Sequence, residues 1–385
     1  MRTDTRHRAD DVDMGPTFVA LTLALASAPT TETSSTVLLS NLIAEDLVPT
    51  IDLFDSDTVK LRVGGLLQVH SALYVGEDSL VDDGDIATRA GFRLRRGRIG
   101  FAGRFMDRLG IYLAINLLEG DEDVGVVSDA KMTYQIDEAL QVTAGLGKVT
   151  FSRAALDSSS ALYTIERPFA VRALVPSRRL GLSAEGQLFG GALKYGASVL
   201  NASEGFVEGN RFGGFLYGGR VEAAPLGPAR RDVVDHDPRV SIGGAFFYED
   251  GASANTIGGT ADLLFTYFGA ALQVEALCNR LTPDDAPVTS PGLADRIDRC
   301  GVYAEASWLL TELVGLPITP AARVEWFDDD RAIDDAGDLL VIVGGVNAIV
   351  FPPYVRAQLS YQHRRERSGV TRDNDSLVLN LQGKF

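Results

Sequence analysis

The segment Asp375-Ser-Leu-Val-Leu-Asn-Leu-Gln-Gly-Lys-Phe385 alternates apolar and polar side chains up to an aromatic residue. In an extended strand successive side chains point to opposite faces. Leu377, Leu379, Leu381 and Phe385 therefore share one face; Ser376, Asn380, Gln382 and Lys384 share the other, with Val378 the one apolar intruder. A strand of this kind needs an apolar medium on one side and water on the other.

The pattern recurs along the chain. Val59, Leu61, Val63, Leu67, Val69, Leu73 and Val75 point one way, while Lys60, Arg62, Gln68 and His70 point the other. Period-2 segments bounded by turn residues predict strands at about 59–75, 89–105, 109–119, 128–136, 139–147, 178–186, 189–200 and 213–224. The same signals place others at about 239–249, 256–266, 269–278, 300–309, 319–327, 339–349, 353–363 and 375–385. That is sixteen, an even number, as single-chain bacterial barrels require. Connections alternate long and short, so outer loops fall at about 76–88, 120–127, 148–177, 201–212, 250–255, 279–299, 328–338 and 364–374. Two short-side connections break the rhythm, 225–238 and 310–318. A soluble sandwich has no reason to alternate loop lengths.

Composition agrees. Hydrophobic residues make up 45% of the chain and aromatics 8%. No run reaches the ~18–20 apolar residues of a spanning helix. The longest, Leu339 to Phe351, is broken by two glycines and an Asn. The expected fold is an all-β, transmembrane, 16-stranded antiparallel β-barrel over residues 58–385. Residues 1–28 read as a signal peptide: Arg2, Arg6 and Arg8 precede an apolar stretch, with a small-residue cleavage pattern at Ala24-Leu-Ala26. Residues 29–57 read as a periplasmic lead-in. Cys278 and Cys300 could staple the base of the loop between them in an oxidising envelope; two unrelated thiols is the alternative left open.

Three pieces carry a family resemblance. Leu94-Arg-Arg-Gly-Arg-Ile-Gly-Phe-Ala-Gly103 is similar to the Arg-rich second strand of the phosphate-selective porin O/P family. Lys148-Val-Thr-Phe-Ser-Arg153, with Ser158-Ser-Ser160 and Ile165-Glu-Arg-Pro168, resembles that family's third-loop segment. The terminal Phe385 resembles the insertion signal of such barrels, read by the barrel-assembly machinery. The resemblance implies a trimeric channel of the bacterial outer membrane, set in lipid and lipopolysaccharide, with anion preference and a third loop folded inward to narrow the pore. The loop-lysine ladder of a phosphate channel is thin here: Lys148 is the only lysine between 132 and 193.

A net charge of −16 argues against nucleic-acid binding and, at first sight, against an anion channel. Position changes this. Acids cluster in outer loops: Glu77, Asp78, Asp82, Asp83 and Asp85; Asp121, Glu122 and Asp123; Asp328, Asp329, Asp330, Asp334, Asp335 and Asp338. On the face taken as lumen, basic residues lead. Arg62, Arg96, Arg98, Arg104, Lys131, Lys194, Arg220 and Arg356 are the candidate anion-binding lining, with Lys60, Arg323 and Lys384, against Asp129, Glu222, Asp262, Glu275, Glu305 and Glu325. In the third loop, Lys148, Arg153, Arg167 and Arg172 facing Asp157 and Glu166 suggest a transverse field; the plainer alternative is that Glu166 and Arg167 pin the loop to the wall. Arg93 and Arg95 share parity with lipid-facing Ile99 and Phe101, so they are expected above the hydrocarbon, the alternative being a bulge near Gly97.

No nucleophile–base–orienter set, phosphate-cradling glycine loop, metal cluster or cofactor motif stands out, so no enzyme is expected. A general or cation-preferring pore, and a plugged surface barrel, are the competing readings.

Overall fold

The computed structural model describes residues 50–75, 90–119, 126–202, 209–211, 213–284 and 296–385. The export signal, most of the lead-in and the acidic residues Glu77, Asp78, Asp82, Asp83, Asp85, Asp121, Glu122 and Asp123 lie outside them. The first strand, β1 (Ile51–Asp55), was not expected; it pairs antiparallel with the start of β2. The ring then runs through β2 (Val59–Tyr74), β3 (Gly91–Phe105), β4 (Leu109–Glu119), β5 (Val126–Gln135), β6 (Gln141–Gly147), β7 (Arg179–Leu188), β8 (Leu193–Asn201) and β9 (Phe215–Ala223). It continues with β10 (Arg239–Asp250), β11 (Ala254–Tyr267), β12 (Ala270–Pro283), β13 (Ile297–Trp308), β14 (Ile318–Asp328), β15 (Leu339–Phe351), β16 (Val355–Glu366) and β17 (Ser376–Lys384). Each pairs antiparallel with the next, and β17 pairs with β2, closing a ring of 16 strands.

Closure satisfies every strand edge, which is what permits a sheet to stand in lipid. Alternation then sorts the side chains. On β17, Leu379 and Leu381 are exposed outward, while Ser376, Val378, Asn380 and Gln382 are buried inward. On β2, Leu61, Leu67 and Leu73 face out and Gln68 and His70 face in.

One strand corrects the expected register. Gln68 pairs with Arg96, but Val69 pairs with Leu94, so Arg95 is an extra residue in β3. This bulge shifts the parity of everything before it. Phe92 and Leu94 turn outward, and Arg93 and Arg95 turn inward beside Arg96 and Arg98. No arginine is left facing lipid on this strand, which at mid-depth would cost about 2–4 kcal/mol.

Cys278 and Cys300 are direct partners across β12 and β13, 4.1 Å apart at Cα, and their sulfurs are joined. The bridge sits on the outward face and closes the loop that follows β12. Alkylation under denaturing conditions is expected to modify neither cysteine before reduction and both after it. Labelling before reduction would contradict the bridge.

Candidate functional site

The segment between β6 and β7 carries two helical turns, Arg153–Leu156 and Phe169–Leu174. Its partners are the inward faces of β2, β3 and β9–β17, so it lies within the ring. Why it goes there is partly apolar. Phe151 meets Phe247 edge-on at 4.9 Å, and Phe169 meets Phe327 at 4.9 Å. Ala170, Val171 and Leu174 join Leu277, Tyr303, Leu339, Val341 and Val343 in the same buried cluster. These wall residues occupy inward positions where a water-filled pore would carry polar ones. A legible signal existed: Leu339-Leu-Val-Ile-Val343 is apolar on both faces, outward for lipid and inward for the loop.

The rest of the attachment is polar. Glu275 of β12 accepts from the amides of Arg153 (3.0 Å) and Ala154 (3.3 Å), which begin the first helical turn. Glu325 of β14 accepts from the amide of Phe169 (2.5 Å), which begins the second. Both turns thus start on a wall carboxylate that takes up amides left without a helical partner. Loop carbonyls are held from the other side. Arg356 donates to the oxygens of Ser160 (3.2 Å) and Leu162 (2.9 Å), Gln358 to Leu162 (2.9 Å), Asn347 to Tyr163 (2.8 Å) and Arg323 to Glu166 (2.7 Å).

Glu166 is the ionic centre. Buried at 8% exposure, it takes bonds from Arg95 (2.8 Å) and Arg96 (2.9 Å), with His70 Nδ1 at 3.7 Å. Burial alone would raise its pKa, but the two guanidinium groups outweigh it and hold the carboxyl well below the usual range. On the opposite wall Arg153 bridges Asp262 (2.6 Å) and Glu222 (3.0 Å), and Arg220 binds Asp262 (2.6 Å) and the carbonyl of Phe151 (3.0 Å).

The expected site residues therefore divide. Arg96, Arg220 and Arg356 line the interior and hold the loop. Arg98 bonds Asn116 (2.6 Å), and Lys131 lies over the Tyr112 ring. Arg62 pairs with Asp52 of β1, Arg104 with Asp107 in a turn, and Lys194 is exposed near the same end, so these three stand at the mouth. In the loop, Lys148 and Arg167 donate to the loop's own carbonyls: Lys148 to Leu156 and Asp157, Arg167 to Ala154 and Asp157. Arg153 and Glu166 bind the wall, so pinning accounts for more of the loop's charge than a transverse field does. Sequence reasoning missed Arg95 and Arg364, and Arg179, which pairs with Glu249 (3.1 Å).

Between loop and wall remains a small, partly open pocket bordered by Arg167, Arg172, Arg323 and Arg364, with Glu166, Glu325, Phe169, Val341 and Gln362. Arg172 and Arg364 both lie against the Phe169 ring, at 5.1 and 5.5 Å. Glu166 is neutralised by Arg95 and Arg96, Glu325 by Arg323 (3.1 Å), and Glu366 lies 3.9 Å from Arg364, so basic groups outnumber carboxylates around the space.

A family model, "Phosphate-selective porin O and P", matches residues 75–236, the stretch with the arginine strand and the inward loop. Over those residues the chain is similar to the phosphate-selective porin O and P family. The match covers only part of the barrel expected over residues 58–385. No curated protein sequence matches the chain. Solved structures share the porin's fold at low identity. An anion-selective porin from Comamonas acidovorans is 14% identical, with TM-score 0.58 over 85% of this chain and 100% of that one. The outer membrane channel DcaP of Acinetobacter baumannii is 11% identical, with TM-score 0.56 over 86% and 99%. The trimer form of OmpT, an outer membrane protein of Vibrio cholerae, is 12% identical, with TM-score 0.56 over 85% and 100%. The chain is thus an outer-membrane porin of bacteria, and family and fold point to a channel rather than an enzyme.

Proposed function

We propose that this porin is a passive diffusion channel for small anions such as phosphate and that it works as a homotrimer. The observation that carries the reading is the arginine-lined pocket beside the loop, where Arg172 and Arg364 flank Phe169 and the nearby carboxylates are already paired. Guanidinium forks suit oxyanions because each can bind two oxygens at once. The narrow passage strengthens each charge relative to bulk water. Export through residues 1–28, insertion through Phe385 by the assembly machinery, and contact with lipopolysaccharide belong to the same reading, as does the trimer, which one similar structure carries in its description.

A salt gradient across a planar bilayer tests it. The zero-current potential is expected to follow the anion, and phosphate at millimolar concentration to reduce chloride current. Replacing Arg172 and Arg364 by Gln should move the potential toward the cation. A wild-type potential of cation sign would instead favour a cation-preferring pore. That second reading rests on the acidic end of the barrel, where Asp329 and Asp338 have pKa values raised by burial and by neighbouring aspartates.

A further inference from the structure

The connection between β9 and β10, residues 224–238, leaves the end of the barrel where connections are mostly short, the periplasmic end of bacterial barrels. It is too long for a simple turn, and its ends are tied down. The amide of Ala224 donates to Ala192 (2.7 Å), and that of Phe268 donates to the carbonyl of Asp235 (2.7 Å). Between these ties the chain rises into the pore.

Arg231 is what it delivers there. Its guanidinium reaches Glu305 on β13 through Nη1 (2.8 Å) and Asp157 of the inward loop through Nη2 (2.7 Å). It also lies 5.3 Å from the centre of the Tyr163 ring, and the Tyr163 hydroxyl donates to the carbonyl of Arg231 (2.7 Å). Its side chain is 12% exposed, whereas adjacent Arg230 and Asp232 pair with each other in solvent at 60% and 66%. The contrast separates a placed residue from a solvated one.

We propose that Arg231 is a positioning residue for the constriction, a strut from the periplasmic end that holds the Asp157–Tyr163 part of the inward loop. Pore width and ion preference at this level then depend on elements entering from both ends of the barrel. The guanidinium is suited to the task because its planar fork can bridge two carboxylates on separate elements, which an ammonium does less well. It also neutralises charge: without it Asp157 loses its ion pair, and Glu305 keeps Arg323 at 3.5 Å.

The inference rests on the channel reading but not on its anion sign. The sign is tested by the wild-type zero-current potential, and the strut by the change on substitution. Full-length porin in planar bilayers supplies both. Arg231→Gln is expected to raise single-channel conductance about twofold and shift the potential toward the cation, Arg231→Lys to fall between it and wild type, and Arg230→Gln to match wild type. Asp157→Asn frees the loop's side of the strut while removing a negative charge, so conductance should rise as before but the potential should shift toward the anion. That opposite shift separates positioning of the loop from general loosening. Wild-type conductance in folded Arg231→Gln would overturn the proposal. Should that variant fail to assemble, wild-type conductance in Asp157→Asn would overturn it equally.

Discussion

Glu166→Gln is expected to raise single-channel conductance severalfold while leaving the barrel folded. The carboxylate is the shared anion for Arg95 and Arg96 on β3, and all three side chains are buried. Removing one partner of a buried ion pair leaves the other charge uncompensated, at a cost of about 3–5 kcal/mol. An amide cannot neutralise two guanidinium groups, so water must enter and the loop must leave the β3 wall. The strand ladder does not depend on the loop, and the apolar contacts of Phe151 and Phe169 remain on the far side. The expected product is an intact barrel with a partly released constriction. Unheated gel mobility would check folding, and bilayer recordings the width.

The same residue sets a pH dependence. The pKa of Glu166 in the folded chain is held well below the usual carboxylate range. An acid of this kind contributes stability that is present above its unfolded pKa and lost as pH falls through the folded one. Conductance should therefore stay flat from neutrality to about pH 5 and rise only in stronger acid, below the unfolded value of about 4.3. Opening of the wild-type channel near pH 6, or wild-type conductance in Glu166→Gln, would remove Glu166 from its role.

Most of the fold was legible because a barrel writes itself locally. Strand, face and turn follow from neighbouring residues, and β17 at Ser376–Lys384 needed only its own alternation to be found. The bulge at Arg95 was not legible in this way. Four arginines in six positions read as a parity conflict, and only the pairing of Gln68 with Arg96 and Val69 with Leu94 decides which way it resolves. The site suffered more. Parity placed Arg96, Arg220 and Arg356 inside the barrel, but parity says nothing about what lies opposite. Their partners, Glu166 and the carbonyls of Phe151, Ser160 and Leu162, are brought there by a loop whose path depends on contacts 69 to 196 residues away in sequence. Arg231 was hidden for the same reason: the connection at 225–238 registered as too long, yet nothing local says that it turns inward.

Gly65→Val is expected to impair barrel closure, although valine is among the best strand residues. Gly65 and Phe385 exchange both backbone hydrogen bonds, Gly65 N to Phe385 O at 2.8 Å and Phe385 N to Gly65 O at 3.2 Å, beyond the last pairs of β17 with β2. The Phe385 ring folds over the glycine, and a Cβ built on Gly65 would overlap ring carbons. Valine must displace the ring or part the strands, and overpacking of this order costs about 1–3 kcal/mol. Phe385→Ala removes the ring's cover but makes room for a side chain at position 65. The two changes should therefore couple: in refolding with detergent or lipid, the double variant should be more stable than the sum of the single losses by about 0.5–3 kcal/mol. Strict additivity would mean that the ring and the glycine do not share the space. In cells the outcome should differ, because every variant lacking Phe385 also lacks the proposed insertion signal. Surface assembly should then fall for Phe385→Ala and stay low in the double variant, even where refolding in vitro recovers.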